Sequence, residues 1–155
     1  LAAGALSGRA LGRGDVEDAK QWPWDVAKIT ALLMSVVGFG LAMCPRVVLG
    51  VFLTDPHAVD IAVTPLRMTG LTVCGDAVSL TMQNALLGVG DAKRVALVSI
   101  LSQWALFLPS AYLAVAVFDQ NLTVVWTLYV AYRFIQGLVY ANIWRGGAWA
   151  KIKLA

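Results

Sequence analysis

The stretch Met68-Thr69-Gly70-Leu71-Thr72-Val73-Cys74-Gly75-Asp76-Ala77-Val78-Ser79-Leu80-Thr81-Met82-Gln83-Asn84-Ala85-Leu86-Leu87-Gly88-Val89-Gly90 carries one charged residue, Asp76. A bilayer core of about 30 Å is crossed by about 20 residues of helix rising 1.5 Å each, so the stretch is long enough to span a membrane. Thr69, Thr72, Asp76, Ser79 and Gln83 follow one another at spacings of three and four, which places them on one helix face. A polar stripe of this kind on a membrane helix is expected to face a water-filled cavity or the interior of a bundle.

Working outward, three further runs have the same length and character: Trp24–Cys44, Val95–Phe118 and Leu122–Trp144. Over the whole chain of 155 residues, 59% are hydrophobic and 14% charged. An ordinary soluble domain has about 45–50% apolar and about 25% charged residues. The composition excludes a soluble globule, and disorder more firmly still, because disorder requires low hydrophobicity and high net charge. The expected fold is an all-α integral membrane protein of four transmembrane helices and a partial N-terminal helix. Residues 1–21 read as the end of a truncated transmembrane helix and a cytoplasmic loop, because Leu1–Leu11 is apolar but half a span long. Residues 22–155 read as the four-helix transmembrane part.

The net charge of +3 does not indicate nucleic-acid binding, since Lys and Arg sit in short segments between apolar runs. Arg9, Arg13, Lys20, Lys28, Lys93, Arg94, Arg145, Lys151 and Lys153 fall on one side of the expected spans, and Arg46 and Arg67 on the other. Basic loops stay in the cytoplasm, so both chain ends are expected there. Trp22, Trp24, Trp126, Trp144 and Trp149 lie near span ends, where amphipathic rings favour the membrane interface. Cys44 and Cys74 fall in apolar runs and read as small buried hydrophobes. His57 reads as a solvated loop residue, and the sequon Asn121-Leu122-Thr123 abuts the membrane. The basic tail Arg145–Lys153 suits orientation and anionic lipid headgroups.

Leu11-Gly12-Arg13-Gly14-Asp15 recurs as Leu87-Gly88-Val89-Gly90-Asp91, 76 residues on (Gly12 to Gly88). Gly supplies a left-handed helix end and Asp can cap the next helix, so each copy reads as a helix stop and restart. It is not a dinucleotide-binding turn, because the third Gly is missing and no strand precedes it. Duplicated hairpins at a fixed offset are a feature of internally repeated transporters.

Asp76 lies deep in its span, where a carboxylate is costly unless paired, hydrated or protonated. It is therefore a candidate to exchange a proton or hold a cation near neutral pH. The alternative is a polar zipper that joins helices, with Asp76 hydrogen-bonded and inert. Arg133 lies midway along the last span on a face with Tyr129, Tyr132, Gln136 and Tyr140. It reads as a counter-ion of Asp76, as part of a polar cavity lining, or as a structural Arg bonding backbone carbonyls. Pro109 is expected to bend the third span. No acid/base pair, nucleophile constellation or metal-ligand cluster supports an enzyme.

Several motifs in order resemble the C-terminal third of a multidrug and toxic compound extrusion (MATE) transporter. They are Ala10-Leu11-Gly12-Arg13-Gly14-Asp15, Val51-Phe52-Leu53-Thr54-Asp55-Pro56, Cys74-Gly75-Asp76-Ala77-Val78, Leu87-Gly88-Val89-Gly90-Asp91, Leu108-Pro109-Ser110-Ala111-Tyr112 and Trp144-Arg145-Gly146-Gly147-Ala148-Trp149. The resemblance covers nearly the whole chain as the end of helix 8 and helices 9–12. It implies one part of a six-helix lobe in a 12-helix antiporter that exports drugs, organic cations or metabolites against Na⁺ or H⁺. It implies a multi-pass protein of a plasma membrane, a bacterial inner membrane in particular, whose partners are the bilayer, the remaining helices with the N-terminal lobe, and a small organic cation or drug. Beyond the coupling ion it implies no cofactor.

The resemblance puts Asp76 at the family's cation-coupling acid, a possible Na⁺ ligand. The family often has Tyr one turn earlier; Thr72 stands there, and its hydroxyl offers an oxygen. Thr69, Ser79, Gln83, Tyr129, Arg133 and Gln136 are the expected cavity lining. Rival readings are a lipid-linked sugar flippase of the same superfamily, whose cavity should be richer in Arg and Lys, and a non-transporting membrane scaffold.

Overall fold

The computed structural model describes residues 2–117 and 122–151. The helices are α1 (Ala2–Gly12), α2 (Val16–Met43), α3 (Pro45–Phe52), α4 (Pro56–Gly88), α5 (Ala92–Ile100), α6 (Leu108–Tyr112) and α7 (Leu122–Arg145). Wider π-helical turns, Leu101–Phe107 and Leu113–Val117, flank α6, and a 3₁₀ turn, Ala148–Lys151, follows α7. No strand occurs among the described residues. Leu1, Phe118, the Asp119–Asn121 turn with the sequon's Asn121, and Lys153 of the basic tail lie outside them.

Three helical runs are long and apolar enough to cross a membrane: Val16–Met43, Ala92–Ala116 and Leu122–Arg145. The chain is a multi-pass all-α membrane protein. The fourth expected span, residues 68–90, is helical as far as Gly88, the end of α4, but does not meet the same standard, because its hydroxyl, amide and carboxyl side chains dilute the apolar ones. α4 is sheltered instead, packing against α1 and α2 on one side and α7 on the other.

Two helices start earlier than expected, and caps explain both. Asp15 Oδ1 accepts the Asp18 N–H at 3.0 Å, so α2 begins at Val16 within the stretch read as a loop, and continues through Pro23. Asp55 Oδ1 accepts the His57 N–H at 3.0 Å with Pro56 in the first turn, which starts α4 12 residues before Met68. The third span does not simply kink at Pro109. Proline has no N–H and its ring crowds the preceding turn, and the coil there widens: the Leu108 N–H reaches Gln103 O, five residues back.

The duplicated turn is duplicated in geometry. Gly14 and Gly90 have φ of +81° and +83°. Asp15 N–H bonds Ala10 O at 3.1 Å and Asp91 N–H bonds Leu86 O at 2.9 Å, while Gly14 N–H and Gly90 N–H bond Leu11 O and Leu87 O. Both are Schellman helix ends. The expected Asp cap is present in the first copy only; the Asp91 carboxylate pairs with Arg94 at 3.2 Å instead.

The buried core gathers at the end of the bundle where these turns lie, around Met82, Leu86, Val89, Tyr140, Trp144 and Trp149. Trp144 and Trp149, at the end of the last span, are buried against the bundle and stacked, centroids 4.1 Å apart. Trp149 Nε1 donates to Trp144 O at 2.8 Å and Trp144 Nε1 to Lys20 O at 3.2 Å, so both ring N–H groups are satisfied. Cys44, expected to be buried, is exposed at the α2–α3 junction, and Cys74 is half-buried. α2 and α4 touch through Gly38 and Gly70; a Cβ on Gly70 would lie 2.6 Å from Gly38 O.

Candidate functional site

α4 and α7 run side by side, and this brings the two charges of the apolar spans together. Arg133 Nε donates to Asp76 Oδ1 at 3.0 Å, with side chains 17% and 27% exposed respectively. The guanidinium continues outward: Nη1 donates to Gln136 Oε1 at 3.0 Å, Gln136 Nε2 donates to Ser102 Oγ at 2.8 Å, and Ser102 Oγ donates to Val98 O at 2.7 Å. Ser102 belongs to the first π-helical segment, so one chain of polar contacts joins α4, α7 and the third span. Of the readings open for Arg133, the structure selects the counter-ion, and Arg133 also lines a cavity. A carboxylate in apolar surroundings is tolerable when paired and hydrogen-bonded in this way.

Asp76 borders two cavities. One, of about 550 Å³, lies between α4 and α7 and is lined by Thr72, Cys74, Asp76, Thr127, Arg133 and Phe134 among others. The other, of about 390 Å³, lies toward α1 and α2 and includes Thr30, Met34, Asp76 and Asn84.

The polar stripe of α4 divides among three settings. Thr72 shares the first cavity with Asp76, its hydroxyl donating to Met68 O at 2.9 Å and keeping lone pairs for a ligand. Thr69 donates to Pro65 O at 3.0 Å and accepts from Trp126 Nε1 at 3.1 Å, joining helices near their other ends. Ser79 is buried near Gly137, and Gln83 is half-buried further along α4. Tyr129 enters an aromatic cluster with Trp126, Tyr132 and Phe107, ring centroids 4.8 to 5.8 Å apart. Tyr140 is buried and its hydroxyl lies 2.7 Å from Ser99 Oγ. Ser99 and Ser102 were not among the expected site residues; their spacing of three in an apolar span is the signal that marks them.

Fold and site together describe a polytopic helical membrane protein with a charged pair inside its bundle. The MatE family model matches residues 1–113, and the chain belongs to that family. It is 25% identical over 134 residues to the uncharacterized transporter YisQ of Bacillus subtilis, covering 86% of this chain and 28% of that protein. It is 27% identical to the probable multidrug resistance protein NorM of Thermotoga maritima, covering 79% of this chain and 27% of that one. It is 30% identical to the protein of the same name from Pasteurella multocida, covering 72% and 24%. The chain thus spans about a quarter of the length of these relatives. No solved structure gives a significant match.

Proposed function

We propose that the chain forms part of a secondary antiporter that exports drugs, organic cations or metabolites in exchange for Na⁺ or H⁺. The observation that carries this reading is the Asp76–Arg133 pair, at 3.0 Å, on the wall of a cavity between two helices of a MatE-family chain. The names of the NorM relatives point to drug efflux, and antiport is what the resemblance to the family implies.

At rest the Asp76 carboxylate is held by a tethered cation. A coupling ion must displace Arg133 from it, with the Thr72 hydroxyl one turn away as a further oxygen ligand. Arg133 keeps its bond to Gln136 while it is displaced, so the guanidinium is not left without an acceptor. An organic cation entering the same cavity competes for the same carboxylate. Differential affinity for that carboxylate in inward- and outward-facing states would link ion entry to substrate exit. The same pairing counts against the flippase reading, because the deep cation that a pyrophosphate would need is already committed to Asp76. In this reading both ends of the chain lie in the cytoplasm of a bacterial inner-membrane protein, with the remaining helices and an N-terminal lobe completing the transport path.

The test is Asp76→Asn in the natural gene product, expressed in cells that lack their own efflux pumps. The expected result is loss of cation-driven efflux with membrane insertion unchanged. Normal efflux by that variant removes Asp76 from the mechanism.

A further inference from the structure

Three cavities lie end to end along α7. The first, of about 550 Å³, holds Asp76 and Arg133 between α4 and α7. The second, of about 300 Å³, shares Gly75 and Phe134 with the first and passes Ser79, Gly137, Ala141 and Asn142. The third, of about 360 Å³, shares Trp24 and Arg145 with the second and ends among Lys20, Gln21 and Asp25. The lining advances along both α4 and α7 from the first cavity to the second, and the third carries on from the end of α7 to the start of α2.

The middle of this seam holds a polar group without a protein partner. Ser79 is 2% exposed, lines the second cavity, and its hydroxyl makes no hydrogen bond among the described residues. Buried hydroxyls are normally satisfied, and ordered water is the usual partner where the protein offers none. α4 and α7 pack closely here, which leaves no room for a side chain at 137: a Cβ on Gly137 would lie 3.0 Å from Ser79 Cβ. At the mouth, the Arg145 guanidinium sits 5.1 Å from the centroid of the Trp24 ring, which draws the positive charge toward an aromatic face, while the Asp25 carboxylate also lines the opening.

We infer that the α4–α7 seam is a hydrated route by which the coupling cation leaves Asp76 toward the Arg145 end of the bundle, with the Ser79 hydroxyl as its midway oxygen. The inference rests on the reading of Asp76 as the coupling carboxylate. It assigns Ser79 a role as an oxygen station on the path, and Trp24 and Arg145 the role of the exit.

Thiol accessibility tests the route apart from coupling. Ser79→Cys is placed in the natural gene product with Cys44 and Cys74 replaced by Ala, and sealed membrane vesicles receive a small, membrane-impermeant cationic methanethiosulfonate from one side or the other. Modification is expected only from the side where Lys20 and Arg145 lie, and at least tenfold more slowly when Gly137→Val is added. Ala141→Cys, which lines the same cavity, is expected to behave alike and serves where the Ser79 variant does not fold. The route is overturned when neither cysteine reacts although Gln21→Cys at the mouth does, when reaction comes only from the opposite side, or when only a membrane-soluble maleimide reacts, as in a lipid-filled groove. Adding Asp76→Asn separates the two claims. Labelling that persists while cation-driven transport is lost supports both; labelling that persists with transport unimpaired overturns the coupling reading and leaves the seam a water path.

Discussion

Arg133 reaches Asp76 across 57 residues of sequence, its Nε donating to the carboxylate at 3.0 Å from a neighbouring helix. The contact joins α4 to α7 in the interior of the bundle, where each charge alone would be far less tolerable. Removing one partner of such a pair strands the other, a loss of about 3 kcal/mol or more, whereas neutralising both can be nearly without effect. Arg133→Gln alone is therefore expected to lower thermal stability in detergent substantially. The double variant Asp76→Asn with Arg133→Gln should recover most of the loss. A double-mutant cycle with no coupling between the two positions would show that the pair contributes nothing to the fold.

The contact between α2 and α4 depends on two residues without side chains. A Cβ on Gly70 would lie 2.6 Å from the backbone oxygen of Gly38, and rigid backbone cannot give way as a flexible side chain can. Gly70→Val should abolish stable folding, read as loss of the monodisperse peak in size-exclusion chromatography. Gly40→Val, where no atom lies within 4 Å of the added Cβ, should fold normally.

The repeated turn makes a paired prediction. Gly14 and Gly90 share a left-handed conformation, and each added side chain there would be strained by about 1 kcal/mol. Gly14→Ala and Gly90→Ala should lower the thermal midpoint by similar amounts, since the left-handed strain is the same at both positions. A drop confined to one of them would mean that the two copies bear unequal load.

The stacked pair at the end of α7 should be a principal support of the core. Trp149→Ala removes a fully buried ring stacked 4.1 Å from Trp144 and is expected to destabilise by about 3–5 kcal/mol. Trp149→Phe, which keeps a stacked ring but loses the 2.8 Å bond to Trp144 O, should fall well short of that. Intrinsic tryptophan fluorescence during unfolding separates the two variants.

What the sequence reveals of this site follows from the physics of each signal. Asp76 is conspicuous because a carboxylate in an apolar run has no bland explanation of equal ease, and the three–four spacing around it survives as a helix face. That Arg133 meets it was open beforehand, since the rotation of α7 about its own axis is set by packing that no local pattern records. α2 and α4 run beyond the apolar spans that hydropathy marks out, because the caps at Asp15 and Asp55 start each helix in the more polar segment before its span. That Trp144 and Trp149 are buried against each other, with both ring N–H groups satisfied, depends on contacts with the turn after α7 and with Lys20 that no local pattern records. The widened coil around Pro109 was legible only as a disturbance; its form depends on how the neighbouring helices hold it.

The central claim is that a cation and a substrate compete for Asp76 while Arg133 waits as its tethered counter-ion. The most direct measurement uses the natural gene product in sealed proteoliposomes, loaded in turn with Na⁺ and at a chosen pH, and follows cation movement when a fluorescent organic cation is added. The account predicts that the added substrate drives movement of one of the two ions through the unaltered protein, and that Asp76→Asn abolishes this movement in protein that still reconstitutes as a monodisperse species. Equal substrate-driven cation movement with and without the Asp76 carboxylate would contradict it.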